Sequence, residues 1–163
     1  FEDQRGWFAR TFCKEEFKKI GHNKEWVQMN NSFTNHIGAI RGMHFQLSPY
    51  TETKLIRCIS GSVYDVAIDL RKNSPSFLQW FGKEISAENK EMILIPNGFA
   101  HGFQALDNNS ELIYHHTNFY TPDAEGGIKY NDRLIGIKWP LPITDISEKD
   151  NNYAFLKESF KGI

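Results

Sequence analysis

Lys54-Leu55-Ile56-Arg57-Cys58-Ile59-Ser60-Gly61-Ser62-Val63-Tyr64-Asp65-Val66-Ala67-Ile68-Asp69-Leu70 reads as two strands joined by a tight turn. Lys54 to Ile59 alternates in polarity, Ser60-Gly61-Ser62 supplies the turn, and Val63 to Leu70 is the returning strand. Side chains alternate along a strand, so Asp65 shares a face with Val63, Ala67 and Asp69.

The same signature extends in both directions. Upstream, Gly38 to Gln46 forms a strand, and Leu47 to Thr53, with Pro49, forms a loop. Trp26 to Asn30 is a further strand with Gln28 and Asn30 on one face, and Asn31 to His36 is polar and loop-like. Glu15 to Ile20 is a short amphipathic helix ended by Gly21. Before it, Trp7 to Phe12 reads as a strand with large groups on both faces, following turn chemistry at Asp3 to Gly6. Downstream, strands fall at Phe77 to Glu84, Met92 to Ile95, Gly102 to Leu106 and Glu111 to Asn118. Beyond Tyr120 the chain is irregular until a short helix over Tyr153 to Phe160. Many short strands with few helical patterns indicate an all-β barrel or sandwich, and the absence of a repeat or linker makes residues 1–163 one domain.

The aromatic content of 14% suits a barrel interior or a site that stacks on rings. A net charge of -1 gives no global field for nucleic acid or an anionic membrane. No apolar run approaches the roughly 18–20 residues of a membrane helix, and no signal-peptide pattern is present. The sequence opens on Phe1 without Met, consistent with a clipped start. Cys13 and Cys58 are unclustered, which fits plain thiols in a reducing, cytoplasmic setting.

His44 stands in the apolar strand Ile40-Arg41-Gly42-Met43-His44-Phe45-Gln46. A lone His there is more often a hydrogen-bonded core residue than a catalyst. Arg41 is three positions away, on the opposite face unless a bulge at Gly42 re-aims one of them. Lys54 opens the neighbouring strand. A His with nearby cations suits an anionic or enolising substrate: the His takes a proton and a cation holds the developing oxyanion. His101 lies in Pro96-Asn97-Gly98-Phe99-Ala100-His101-Gly102-Phe103, which resembles the second half-motif of metal-binding cupin barrels. The first half-motif would need His-x-His, and here Gln46, a poor metal ligand, follows His44, so no metal is expected. His115 and His116 point to opposite faces and read as incidental, and Tyr114 alone reads as packing. No phosphate-binding Gly-rich loop or nucleophile elbow occurs.

Several motifs, taken in order, resemble the dTDP-4-dehydrorhamnose 3,5-epimerase family. They are Phe1-x-Asp3-x-Arg5-Gly6-x-Phe8, Gln28-x-Asn30-x-Ser32, Arg41-Gly42-x-His44-x-Gln46, Lys54-Leu55, Asp65-Val66-Ala67-x-Asp69-x-Arg71-x-x-Ser74-Pro75, the PNGFAHGF stretch, Tyr120-x-Pro122, Trp139-Pro140 and Ser147-Glu148-Lys149-Asp150. The resemblance implies a cupin-like jelly-roll β-barrel with short flanking helices, without metal or cofactor, working as a homodimer. It implies inversion of carbons flanking the C4 ketone of a nucleotide-linked 4-keto-6-deoxyhexose. In that pattern His44 is the base, Asp150 orients it, Tyr114 is the acid and Lys54 holds the enolate oxygen. Arg41 and Arg57 are candidates for the diphosphate, Arg41 the better one because its motif position matches; His101, Gln46 and Asn30 line the pocket; Tyr120 helps close it. Arg5, Phe8 and Gln28 complete the substrate-binding set, and Asp65 takes a structural role. The first strand pairs across subunits in such families, and the aromatic-rich start fits that.

One position departs. Where the family carries a Glu that accepts from thymine, this chain has Arg10, which only donates. That suits cytosine and raises an alternative: C5-only epimerisation of a CDP-4-keto-3,6-dideoxyhexose. A non-catalytic sugar-nucleotide binding module is the other alternative, although a pure binder needs no paired acid and base.

Overall fold

The computed structural model describes residues 1–163. The strands are β1 (Glu2–Asp3), β2 (Gly6–Trp7), β3 (Gln28–Thr34), β4 (Ile40–Gln46), β5 (Lys54–Ser60), β6 (Ser62–Asp69), β7 (Trp80–Ser86), β8 (Met92–Ile95), β9 (Phe99–Ala105), β10 (Ser110–His116) and β11 (Glu125–Gly127). Two short helices, α1 (Lys14–Lys18) and α2 (Glu148–Asn151), flank them. A four-stranded sheet, ordered β3-β10-β5-β8, faces a five-stranded sheet, ordered β11-β4-β9-β6-β7. All the pairings within these sheets are antiparallel. This is the cupin-like jelly roll, with the two sheets hydrogen-bonded separately rather than closed into one ring.

Strand alternation explains where the core sits. Ile56, Cys58, Val63, Ala67, Ile85, Ile95, Phe103 and Leu112 pack together between the sheets. The opposite faces of β6 and β9 contribute Val66, Ile68 and Ala100 to a second cluster, covered by Ile128, Ile135 and Ile137 of the C-terminal segment. Each large apolar side chain so buried contributes about 1.5–3 kcal/mol. The inner cluster occupies part of the space between the sheets, and polar side chains occupy the rest.

Four expectations are corrected. Residues Phe8 to Phe12 form no strand; β2 stops at Trp7, and this arm has no partner strand in the chain. The loop placed at Asn31 to His36 is strand as far as Thr34, because β10 pairs with β3 from Ser110↔Thr34 to His116↔Gln28. The helix placed over Tyr153 to Phe160 is absent: Leu156 and Phe160 pack as irregular chain against the C-terminal cluster. The terminal helix is α2 instead, where Ser147 Oγ accepts from Asp150 N at 3.1 Å as an N-cap. Finally, β7 starts at Trp80, three residues after Phe77, since Leu78 takes a positive φ of 61° that breaks the strand.

Candidate active site

A cavity of about 830 Å³ opens between the sheets. Its walls include Asn30, Arg41, His44, Lys54, His101 and Tyr114, with Asp150 behind His44. Strands supply all of these except Asp150, which α2 supplies.

Arg41 and His44 share this wall because the β4–β9 register slips. Arg41 pairs with Phe103 and His44 with His101, so three steps on β4 answer two on β9. Gly42 makes this fit: its φ is +124°, and a Cβ there would meet Gly102 Cα at 2.5 Å.

His44 Nε2 lies 2.7 Å from Asp150 Oδ1, and Asp150 Oδ2 accepts from Gly42 N at 3.0 Å. Burial raises the Asp150 pKa, but the hydrogen bonds from His44 and Gly42 outweigh it and hold the carboxyl below its ordinary range. A carboxylate only accepts, so the proton of neutral His44 sits on Nε2 and the Nδ1 lone pair is free. On β9, His101 Nε2 lies 2.8 Å from Asp65 Oδ2, and burial depresses the imidazole pKa so that it stays neutral. Asp65 thus holds the His101 ring from behind. The histidines and carboxylates form no cluster of three metal-ligating side chains.

Tyr114 is half-buried, and desolvation pushes its phenol well above the ordinary range, so it remains protonated. Its hydroxyl lies 2.9 Å from Ser32 Oγ. Lys54 is buried beside Glu52, Nζ to Oε1 3.3 Å. Arg41 donates from Nε to Thr34 Oγ1 and from Nη2 to Phe33 O, both at 3.0 Å, which leaves three of its five N–H donors for a ligand.

Other sequence candidates fall elsewhere. Gln46 and Tyr120 border an adjoining cavity of about 120 Å³. The Gln46 amide is already engaged with Tyr50 O, Phe119 O and Thr121 N. Gln28 lies outside the cavity and accepts from Tyr120 N at 3.0 Å. Arg57 has the opposite strand parity to Lys54 and stacks its guanidinium over Trp7, 5.7 Å from the ring centre. Arg5 pairs with Asp3, and Arg10 with Glu16 at 2.8 Å; with Phe8 they form an arm that does not line the cavity of its own chain. His116, read as incidental, is instead part of the cavity wall. Its Nδ1 lies 2.6 Å from Glu52 Oε2. Parity sets His116 on the face of Tyr114, but its partner Glu52 lies in a loop, where no strand parity applies.

Comparison with known proteins places this geometry. The family profile described as dTDP-4-dehydrorhamnose 3,5-epimerase matches residues 1–158. The chain belongs to the dTDP-4-dehydrorhamnose 3,5-epimerase family. It is 45% identical over 153 residues to the enzyme of that name from Shigella flexneri, covering 93% of this chain and 84% of that one. The dTDP-4-dehydrorhamnose 3,5-epimerase of Bacillus anthracis, solved with TDP and PPi bound, superposes with a TM-score of 0.93 at 40% identity, over 96% of this chain and 89% of that one. A Legionella pneumophila family member solved with dTDP-4-keto-L-rhamnose gives 0.89 at 38% identity, over 95% and 82%. The protein is thus a nucleotide-sugar epimerase of this family. No helix in it is long and apolar enough to cross a membrane.

Proposed function

We propose that this protein inverts C3 and C5 of a dTDP-linked 4-keto-6-deoxyhexose by moving protons beside the C4 ketone. The observation that carries the reading is a carboxylate-backed His44 and a protonated, half-buried Tyr114 facing one cavity that also holds Lys54. His44 Nδ1 takes the proton from the carbon next to the ketone. The C–H electron pair moves into the ring bond, and the carbonyl pair moves onto the C4 oxygen. Lys54 donates to that oxygen. The Tyr114 hydroxyl then delivers its proton to the opposite face, the ketone re-forms, and the configuration is inverted. Tyr114 regains a proton from solvent and His44 releases its own. Arg41 offers its free donors to the diphosphate.

The working unit is a homodimer. Phe1 is 95% exposed and Phe8 69%, and Met29 and Phe33 of edge strand β3, with Val27 just before it, leave an exposed apolar stripe. A second copy covers that stripe and brings Arg5, Phe8 and Arg10 of its arm to this cavity. Phe33→Asp is expected to sediment as a monomer with a raised KM. Two free thiols, Cys13 and Cys58, accord with a cytoplasmic enzyme.

Proton NMR in D2O tests the reaction. Loss of the C3 and C5 signals of dTDP-4-keto-6-deoxyglucose is the expected result. Exchange confined to C5 of a CDP-4-keto-3,6-dideoxyhexose would replace this reading with the one suggested by Arg10.

A further inference from the structure

A hydrogen-bonded chain runs behind Lys54 that neither the base nor the acid needs. Glu52 lies in the loop before β5, two residues ahead of Lys54, with its side chain only 9% exposed. One oxygen lies 3.3 Å from Lys54 Nζ and the other 2.6 Å from His116 Nδ1. The carboxylate only accepts, so His116 Nδ1 carries the proton and Nε2 accepts from Asn30 Nδ2 at 3.2 Å. Asn30 Oδ1 in turn accepts from Gln28 Nε2 at 3.2 Å, and Gln28 Oε1 accepts from the backbone of Tyr120. Every step agrees in donor direction, and the far end is fixed to the main chain.

We propose that Glu52 is a positioning residue of this active site: anchored on His116 by one oxygen, it fixes the Lys54 ammonium with the other. The inference rests on the assignment of Lys54 to the C4 oxyanion. A lysine ammonium is a point charge on a flexible four-carbon stem, and it stabilises an oxyanion best when already in place. Lys54 has three N–H donors. Glu52 takes one, compensates the buried charge and leaves two for the cavity. Burial alone would raise the Glu52 pKa, but His116 and Lys54 hold it below the ordinary range, so the group stays a carboxylate. A neutral amide cannot do this work. Lys54 and His116 both donate, and a Gln side chain would turn its own NH2 toward one of them.

The test compares wild type with Glu52→Gln by steady-state kinetics and by NMR of the 15N-labelled lysine ammonium groups. Glu52→Gln is expected to lower kcat between roughly 10-fold and 100-fold. KM and dTDP affinity stay within about twofold of wild type, because ground-state contacts are untouched. The Lys54 ammonium signal, sharp in wild type because the ion pair slows exchange, is lost. An unchanged kcat overturns the inference, and so does a kcat loss matched by an equal rise in KM. Should Glu52→Gln fail to fold, Glu52→Asp decides. It keeps the charge but is one methylene short, and wild-type kcat in it overturns the inference. If wild type itself exchanges no sugar protons, the proposed reaction falls. The lysine signal still tests the anchor: equal sharpness in both proteins refutes it.

Discussion

Arg41 and His44 stand three positions apart on β4, yet both reach one cavity. In a regular strand they would point to opposite faces. The slip of register against Phe103 and His101 brings them together, and it passes through Gly42, whose missing side chain lets β4 lie against Gly102.

Gly42→Ala should therefore damage both stability and turnover. The added methyl would stand 2.5 Å from Gly102 Cα and 2.8 Å from His101 O, at a φ of +124° that L residues rarely adopt. We expect a loss of about 2–4 kcal/mol in chemical denaturation. We also expect kcat to fall roughly 100-fold, since His44 and Arg41 would no longer converge. Wild-type values in both measurements would mean that the slip does not depend on this glycine.

Asp150→Asn keeps the shape of the side chain but removes the charge that fixes the His44 tautomer. The expected loss in kcat is roughly 10²–10⁴-fold, with KM and dTDP affinity near wild type. Steady-state kinetics beside isothermal titration separates the two. A variant with full kcat would remove Asp150 from the catalytic assignment.

Tyr114→Phe should separate proton removal from inversion. His44 still takes a proton and hands it back on the same face. In D2O the variant is expected to exchange the C5 proton while the sugar keeps its starting configuration. Inversion at the wild-type rate would show that another group delivers the second proton.

Asp69 governs stability at a distance from the cavity. Its buried carboxylate accepts from Arg71 Nε at 2.9 Å and Nη2 at 2.7 Å, and from Ser74 and Ser76 Oγ at 2.5 and 2.6 Å. Arg71 first, and the two serines after it, hold its pKa far below the ordinary carboxylate value. A depressed folded pKa stabilises above the unfolded value, and that stability is lost as pH falls through the folded value. Asp69→Asn should thus cost about 2–3 kcal/mol at pH 7, with the difference from wild type shrinking below about pH 4. Urea denaturation at pH 7 and pH 3 checks the sign.

The two strands on either side of Gly61 were legible because alternation and turn residues agree there, but the chain changes sheet at this turn: β5 pairs with β10 and β8, and β6 with β9 and β7, so the two do not form a hairpin. The candidate base was legible with its bulge, since a glycine beside a mid-strand His is a local signal. Where a partner lies far away in sequence, local pattern misleads. Phe8 to Phe12 look like a strand, but no strand in the chain accepts their hydrogen bonds. Asn31 to Thr34 look like a loop, but β10 arrives to pair them. His116 gained meaning only from Glu52, 64 residues earlier. Arg57 is the opposite case: parity alone sets it across the strand from Lys54, and a basic residue near a motif drew more weight than its direction deserved.

Asp150 closes the site from the far end of the chain, 106 residues after His44. A protein made from its N-terminus has all eleven strands available once Gly127 has emerged. At that moment the candidate base, His44, is present but unaimed, and the main-chain N–H of Gly42 lacks its carboxylate acceptor. Under the proposed mechanism, proton chemistry therefore waits until residues Glu148–Asn151 have followed and α2 docks. A nascent or prematurely terminated copy can resemble the finished jelly roll and still be unable to process sugar.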